Sequence, residues 1–458
     1  MAEKKIVLVG AGSAVFTRGL VADLILSPDL GPWEIGLVDP DPAALATAEG
    51  LTRRMVAARA APITVQASTD RRALLPGADV VVLTVGVGGR RAWEVDVEVP
   101  RAYDIYQPVG DSVMPGGISR AMRVIPALVD IAHDVKALCP DALFFNYSNP
   151  MTANCLAIRQ ETGLPVVGLC HGVFHVERQL AAYIGAPHQE TTSLYAGLNH
   201  LTFIYDFRWK GRDAWPLARA RIEEERRHPP RADGLGQTFA GGRHAADNPF
   251  SWSLFEAYGA YPSADDRHVV EFFPERFPRG AYYGLTLGLD AFSIKDIIAW
   301  GDARYKAMRA QALHEAPLDE GIFDHEVGEH EQLVSILRSI WRDERRIFNV
   351  NVPNNGAAPN LPDSVILELP AVATATGLRP LQLPDFPDLL AAIIARKQAP
   401  IGVTVEAALR ADRALFAEAL LADGAVTDRA VARQLTEDLL QAQRRYVPHF
   451  FPGDRAVA

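Results

Sequence analysis

Six short β-branched runs, separated by stretches with helical apolar spacing, constrain this chain most strongly: they ask for a parallel sheet wrapped by helices. The runs are "KKIVLVG", "WEIGLVD", "ITVQAS", "ADVVVLTVG", "ALFFNYS" and "PVVGLC". Between them, Arg18–Leu26, Pro42–Ala58 and Ser119–Leu138 set apolar residues three and four apart, as a helix needs to cover a sheet face. After about Tyr195 the alternation fades into "ARARIEEERRHPPRADGLGQ", which reads as an exposed helix and a loop. The 458 residues exceed the roughly 250–300 at which single cores stop growing. Two α/β domains are therefore expected, 1–195 and 196–458, the second ending in helices over Val403–Asp423 and Asp428–Tyr446.

The first run enters a glycine turn and a helix start, "KKIVLVGAGSAVFTRGL". In dinucleotide folds Gly10 would allow the tight turn and Gly12 the approach of backbone to a pyrophosphate. Val15 occupies the place where G-x-G-x-x-G wants a small residue, so the motif is incomplete. Asp39, ending the second run, supplies the acid that accepts from the adenosine ribose hydroxyls and favours NAD over NADP. Ser13, Phe16, Thr84 and Asn146 complete the expected cofactor contacts. The plain alternative is an ordinary strand-to-helix turn, with Asp39 capping the helix that starts near Pro42.

A second concentration of chemistry follows the sixth run. "GLCHGVFH" puts Cys170, His171 and His175 directly after a strand, where open α/β sheets bind ligands. Asn149 ends "LFFNYSN", and "YAGLNHLTF" adds Asn199 and His200. Each is ordinary core taken singly, since free cysteine is among the most buried residue types. Farther on, "GAYPSADDRHVVEFF" sets Asp265, Asp266, Arg267 and His268 between a proline turn and an apolar, strand-like run. This is a solvated loop or a general base beside an arginine, and spacing does not choose between the two aspartates.

Composition removes other classes. With 48% hydrophobic and 22% charged residues the chain is an ordinary globular protein. A formal charge of −10 repels phosphate backbones and anionic lipid, so no nucleic acid or membrane partner is expected. "MAEKK" leads into a strand without a secretory h-region, and no apolar run is long enough to span a bilayer. A cytoplasmic location is expected, with Cys139, Cys155 and Cys170 reduced.

In their order, "VLVGAGSAVFT", "GDSVMPGGISRAMR", "CPDALFFNYSNPMT", "GLCHGVFH", "GLNHLTF" and "NVNVPNNGAAPNLPDSVILELP" resemble glycoside hydrolase family 4, the NAD- and divalent-metal-dependent glycosidases. The resemblance implies a Rossmann-like doubly wound parallel sheet plus a lactate-dehydrogenase-like C-terminal domain, in a homodimer or homotetramer. It implies that Cys170 and His200 bind the metal, usually manganese, and that Asn149 touches the glycoside or oligosaccharide substrate. Softness rules applied to Cys and His would have pointed to zinc. The implied mechanism oxidises the sugar at C3, which acidifies the C2 proton. A base removes that proton, the metal stabilises the enediolate while the glycosidic oxygen leaves, water adds, and NADH returns its hydride. Asp265, then Asp266, fall where the family places its base, and His171 is the candidate acid for the leaving oxygen.

"CHG" after the strand looks like the α-glucuronidase and α-galacturonidase members, whereas "CHSV" suggests α-galactosidases and "CHE" α-glucosidases. Asp or Asn in place of His171 would indicate 6-phosphoglycosidases. Arg267, or Arg90 with Arg91, would hold a uronic carboxylate, and Asn199 is a further substrate candidate. Val173 matches the α-galactosidase signature and keeps neutral hexosides open. The rival functions are a plain NAD-dependent dehydrogenase of hydroxy acids or sugars and a nucleotide-sensing binding protein.

Overall fold

The computed structural model describes residues 3–230, 234–237, 243–325 and 332–452. All six expected strands form: β1 Lys4–Val9, β2 Trp33–Val38, β3 Ile63–Ser68, β4 Val80–Leu83, β5 Leu143–Asn146 and β6 Val167–Gly168. They pair in parallel in the order β3-β2-β1-β4-β5-β6. This is the doubly wound dinucleotide order, with its switch point between β1 and β4. The connecting helices are α1 Phe16–Ile25, α2 Pro42–Ala58, α3 Gly89–Arg101, α4 Met114–Leu138, α5 Met151–Thr162 and α6 Gly172–Tyr183. Asp41, not Asp39, caps α2, accepting from the N–H groups of Ala43 and Ala44. That leaves Asp39 for the glycine turn.

The sheet does not stop at β6. The remaining strands are β7 Thr191–Leu198, β8 Leu201–Trp209, β9 Arg212–Asp213, β10 Tyr261–Pro262, β11 Ala281–Tyr282, β12 Leu285–Thr286, β13 Ile347–Pro353, β14 Ile366–Thr374 and β15 Gly377–Pro380. An antiparallel half continues from β6 through β13, β14, β7 and β8 to β10, while β11 and β12 pair separately. Residue 195, the expected boundary, therefore lies inside β7, and both halves of the chain share one sheet. Helices α7 Trp215–Arg227, α8 Pro249–Tyr258, α9 Asp265–Val269 and α11 Leu333–Arg342 lie toward the antiparallel half and its loops, whereas α10 Ile294–Ala312 packs on α2 and α3 of the dinucleotide half. The loop expected after α7 lies partly outside the described residues.

Two expectations change. Val403–Asp423 is not one helix but the end of α12 (Asp388–Arg410) and all of α13 (Arg413–Asp423). Ala411 takes φ +52°, and the Asp412 carboxylate caps the new start by accepting from Ala414 and Leu415 N–H, an alternative to continuing the first helix. Asp428 caps α14 (Arg429–Ala442) in the same way. "HVVEFF" is helical and not a strand: α9 runs into a 3₁₀ turn, and Val269, Val270, Phe272 and Phe273 are all buried, without the alternation of a strand.

Helices α12 and α13 pack on α4, and α14 on α3, tying the C-terminal region to the dinucleotide half. Inside that junction Arg123 makes a two-pronged pair with Asp96, which also accepts from Gln443 Nε2. Removing one partner of such a buried pair costs about 3–5 kcal/mol, because the other charge is left uncompensated. Among the described residues, no helix is long and apolar enough to cross a membrane.

Candidate active site

At the end of β1 the turn needs glycine twice. Gly10 has φ +91°, and a Cβ there would lie 2.7 Å from the Thr84 carbonyl oxygen. A Cβ on Gly12 would lie 2.8 Å from Asp39 Oδ2, the atom to which the Gly12 N–H donates at 2.9 Å. Thr84 Oγ donates to the Gly10 carbonyl (2.8 Å), and Ser13 Oγ accepts from Phe16 N–H at the start of α1. The missing third glycine does no harm, because Val15 is 43% exposed instead of wedged between helix and sheet. Gly10, Gly12, Ser13, Phe16, Asp39 and Thr84 all border one cleft.

Asn146 does not border it. It is fully buried and uses its amide on the following turn, donating to the Ser148 carbonyl and accepting from the Ser148 N–H, both at 3.0 Å. It shapes the turn that presents Asn149, so the expected direct cofactor contact is corrected to a supporting one.

The other end of the cleft collects side chains from distant segments. His200 sits in the two-residue turn between β7 and β8 with φ +68°, a conformation non-glycine residues seldom adopt. Its ring stacks against His268 of α9, with centroids 3.9 Å apart. Asp111, before α4, completes a trio whose ligand atoms all lie within 4.8 Å of one another. Ser112 Oγ bridges Asp111 Oδ1 and His200 Nδ1 at 2.8 Å each, and Asn149 Nδ2 donates to Asp111 Oδ2 at 2.9 Å. Burial lowers the pKa of His200 and holds that of His268 well below the usual imidazole range, helped there by His200 and Arg267. Both rings are thus kept in the neutral form that ligates metals. Cys170 borders the same cleft just before α6, with Gly172 N–H 3.4 Å from its Sγ.

Of the two adjacent aspartates, Asp265 borders the cleft and Asp266 does not. Ala264 (φ +82°) and Asp265 (φ +57°) are consecutive left-handed residues, backbone strain that tends to persist at functional sites. Asp265 accepts from Gln179 Nε2 (3.1 Å) and Asn248 Nδ2 (3.3 Å), and burial raises its pKa. Asp266 turns inward and accepts from Phe250 N, Ser251 N, Ser251 Oγ and Tyr282 Oη. Four donors and full burial make it a structural anchor, and the catalytic alternative for Asp266 is corrected.

Arg267 borders the cleft, and its buried Nε has no hydrogen-bond partner among the described residues. Arg90 and Arg91 instead converge on Asp302 of α10, so their expected contact with a uronic carboxylate is corrected to an ion pair. Asn199 is also corrected: it is 3% exposed and faces the buried Glu368. His171, the N-cap of α6, is exposed into the cleft. Val173, on the inner face of α6, is fully buried and does not border the cleft.

The cleft has a volume of about 1460 Å³, beyond the roughly 300–1,000 Å³ typical of a pocket for one small ligand. Two family models account for nearly the whole chain: family 4 glycosyl hydrolase over residues 5–186 and family 4 glycosyl hydrolase C-terminal domain over 195–426. The chain belongs to glycosyl hydrolase family 4. Its relatives differ in substrate. An α-glucosidase of Erwinia rhapontici is 30% identical, covering 97% of this chain and 98% of that protein. An α-galactosidase of Bacillus subtilis is 27% identical (98% and 100% covered), and an α-galacturonidase of the same organism 28% (95% and 97%). Among solved structures, a 6-phospho-α-glucosidase from gut microorganisms in complex with NAD and Mn²⁺ superposes with a TM-score of 0.81 at 17% identity, covering 97% and 99% of the two chains. Malate dehydrogenase of Cryptosporidium parvum shares the fold at TM-score 0.52 and 13% identity, over 89% and 99%. The expected dehydrogenase-like α/β fold is borne out.

In this family 4 chain, Asp111 and His268 are residues the motif reading passes over as ligands. Asp111 stands inside the quoted "GDSVMPGG", and His268 beside the two aspartates, but neither has a ligand-like spacing to Cys170 or His200. The donor set fits a divalent cation: two neutral imidazoles and one carboxylate, with His268 Nδ1 buried and without a partner among the described residues, while Cys170 borders the same cleft outside this trio. Asp111 adds the hard oxygen that a Cys–His pair lacks, which weakens the case for zinc.

Proposed function

We propose that this family 4 hydrolase cleaves α-glycosides with NAD and a divalent cation, manganese in the first instance, and that its sugar is an α-D-glucuronide or α-D-galacturonide. The observation that carries the reading is the single cleft that joins the Gly10–Asp39 cradle to the Asp111–His200–His268 cluster, Cys170 and Asp265. Gly10, Gly12, Ser13, Phe16, Asp39 and Thr84 would hold the dinucleotide; Cys170 and His200, with Asp111 and His268, would hold the cation. When bound, they supply reversible hydride acceptance at C3 of the sugar and Lewis acidity toward its C2 and C3 oxygens.

The chain's own groups then divide the proton work. Asp265, its basicity raised by burial, takes the proton from C2. His171, exposed at the α6 N-cap, gives a proton to the glycosidic oxygen. Asn149, fixed by Asp111, orients the sugar. Arg267 meets the uronic carboxylate, since its guanidinium is the one among the proposed candidates not already paired with Asp302.

Sugar release measured with and without NAD, Mn²⁺ and a thiol reductant tests the reading, and dependence on all three is the expected result. One NADH accumulated per product would make the protein a plain dehydrogenase instead. Arg267→Ala is expected to lower kcat/KM for aryl uronides about 10- to 100-fold, the worth of a charge-assisted hydrogen bond, and to affect neutral hexosides little. Exclusive cleavage of neutral sugars by the unaltered protein would move the assignment to an α-galactosidase or α-glucosidase.

A further inference from the structure

Below the cleft, Glu368 of β14 is 1% exposed, and its hydrogen-bond partners among the described residues are amides and a hydroxyl. Asn349 Nδ2 donates to its Oε1 at 2.9 Å, Asn351 Nδ2 lies 3.4 Å and Asn199 Nδ2 3.5 Å from the same oxygen, and Thr202 Oγ is 2.6 Å from Oε2. All three asparagines turn their NH₂ groups toward the carboxylate, and their own Oδ1 atoms have no partner among the described residues. A buried polar atom left unsatisfied costs about 1–3 kcal/mol, so three in one place mark an arrangement that bare fold stability does not favour.

The row in which this happens is the seam of the sheet. Gly168 of β6 pairs with Asn351 of β13, Asn351 with Glu368 of β14, Glu368 with Gly197 of β7, and Gly197 with Thr202 of β8. Two of those strands run directly into proposed cation ligands. Cys170 lies two residues beyond Gly168, and Asn349 Nδ2, already on Glu368, is also 3.4 Å from the Cys170 carbonyl. His200 lies between Asn199 and Thr202 on the hairpin turn, so Glu368 faces side chains on both sides of the residue held at φ +68°. Such a backbone conformation lasts only where its surroundings over-determine it.

We propose that Glu368 is a positioning residue for the cation site: through Asn349, Asn199 and Thr202 it sets the relative placement of Cys170 and His200 across the seam. The inference rests on the reading of Cys170 and His200 as ligands. It contributes no ligand atom of its own. Groups that orient metal ligands commonly change metal affinity 10- to 100-fold when removed, and that range is the expected weakening for Glu368→Ala.

The test is titration of Mn²⁺ alone into reduced full-length protein, by calorimetry or by loss of the free-ion EPR signal, with NAD affinity measured in parallel. Glu368→Ala is expected to lose Mn²⁺ affinity and keep NAD affinity. Glu368→Gln is expected to recover most of the loss, because its amide carbonyl still accepts from the asparagines. Should Glu368→Ala fail to fold, Asn349→Ala cuts the link to Cys170 and is expected to weaken Mn²⁺ binding in the same direction. His200→Ala separates the two ideas: if it binds Mn²⁺ as well as the unaltered protein, the ligand reading itself falls. If His200→Ala loses the ion while Glu368→Ala, or Asn349→Ala in its place, binds it normally, the positioning role is overturned. Equal loss of Mn²⁺ and NAD affinity in Glu368→Ala, without recovery in Glu368→Gln, would likewise overturn it by showing a general structural defect.

Discussion

Asp265→Asn is expected to lower kcat about 10²- to 10⁴-fold, the usual worth of a positioned general base, while Asp266→Asn leaves the proton-transfer step near normal. The contrast follows from where the two neighbours point. Asp265 borders the cleft and accepts from two amide donors, Gln179 and Asn248, that keep it in place there. Asp266 is closed off by four donors, and burial pushes its carboxyl up to about 6. An amide there still accepts through one oxygen but brings an NH₂ group against donors, so the expected defect is in thermal stability. Release of deuterium from C2 of labelled substrate, followed in both variants beside a melting curve, separates the effects. Slowed exchange in Asp266→Asn with normal exchange in Asp265→Asn would reverse the assignment.

His200→Ala is expected to weaken Mn²⁺ binding more than about 100-fold, beyond the range of supporting residues, and to abolish metal-dependent turnover. Cys170→Ser should do the same to turnover, and both variants should bind NAD nearly as the unaltered protein does, since the Gly10–Asp39 cradle stands on other strands. Activity that survives chelation in either variant would refute the ligand assignment. The size of the expected loss reflects how the ligands converge: His200 sits against His268, and Ser112 links it to Asp111. Removing the imidazole takes away one donor and the packing of a second.

The six strands, the glycine turn and Asp39 are legible because they depend on near neighbours. A β-branched run declares a buried strand, and Gly10 is required by a backbone angle and a carbonyl only 2.7 Å from any Cβ. The helix break at Ala411 lies at the edge of that reach: Asp412 is a recognisable cap, but the apolar spacing continues past it. Asp111 and His268 lie beyond it. Each looks like a loop polar residue until β7 and β8 fold back and α9 lies across their turn.

Local pattern was thus enough for the class of fold, the dinucleotide cradle and, through the ordered motifs, membership of family 4. Assembly of the chain put Asp265 and not Asp266 on the cleft, paired Arg90 and Arg91 with Asp302, and turned Asn146 and Asn199 onto buried protein partners. The reason is physical: helix and strand periods are written over a few neighbouring residues, whereas which carboxylate meets water, a cation or four donors depends on groups brought together by long-range packing.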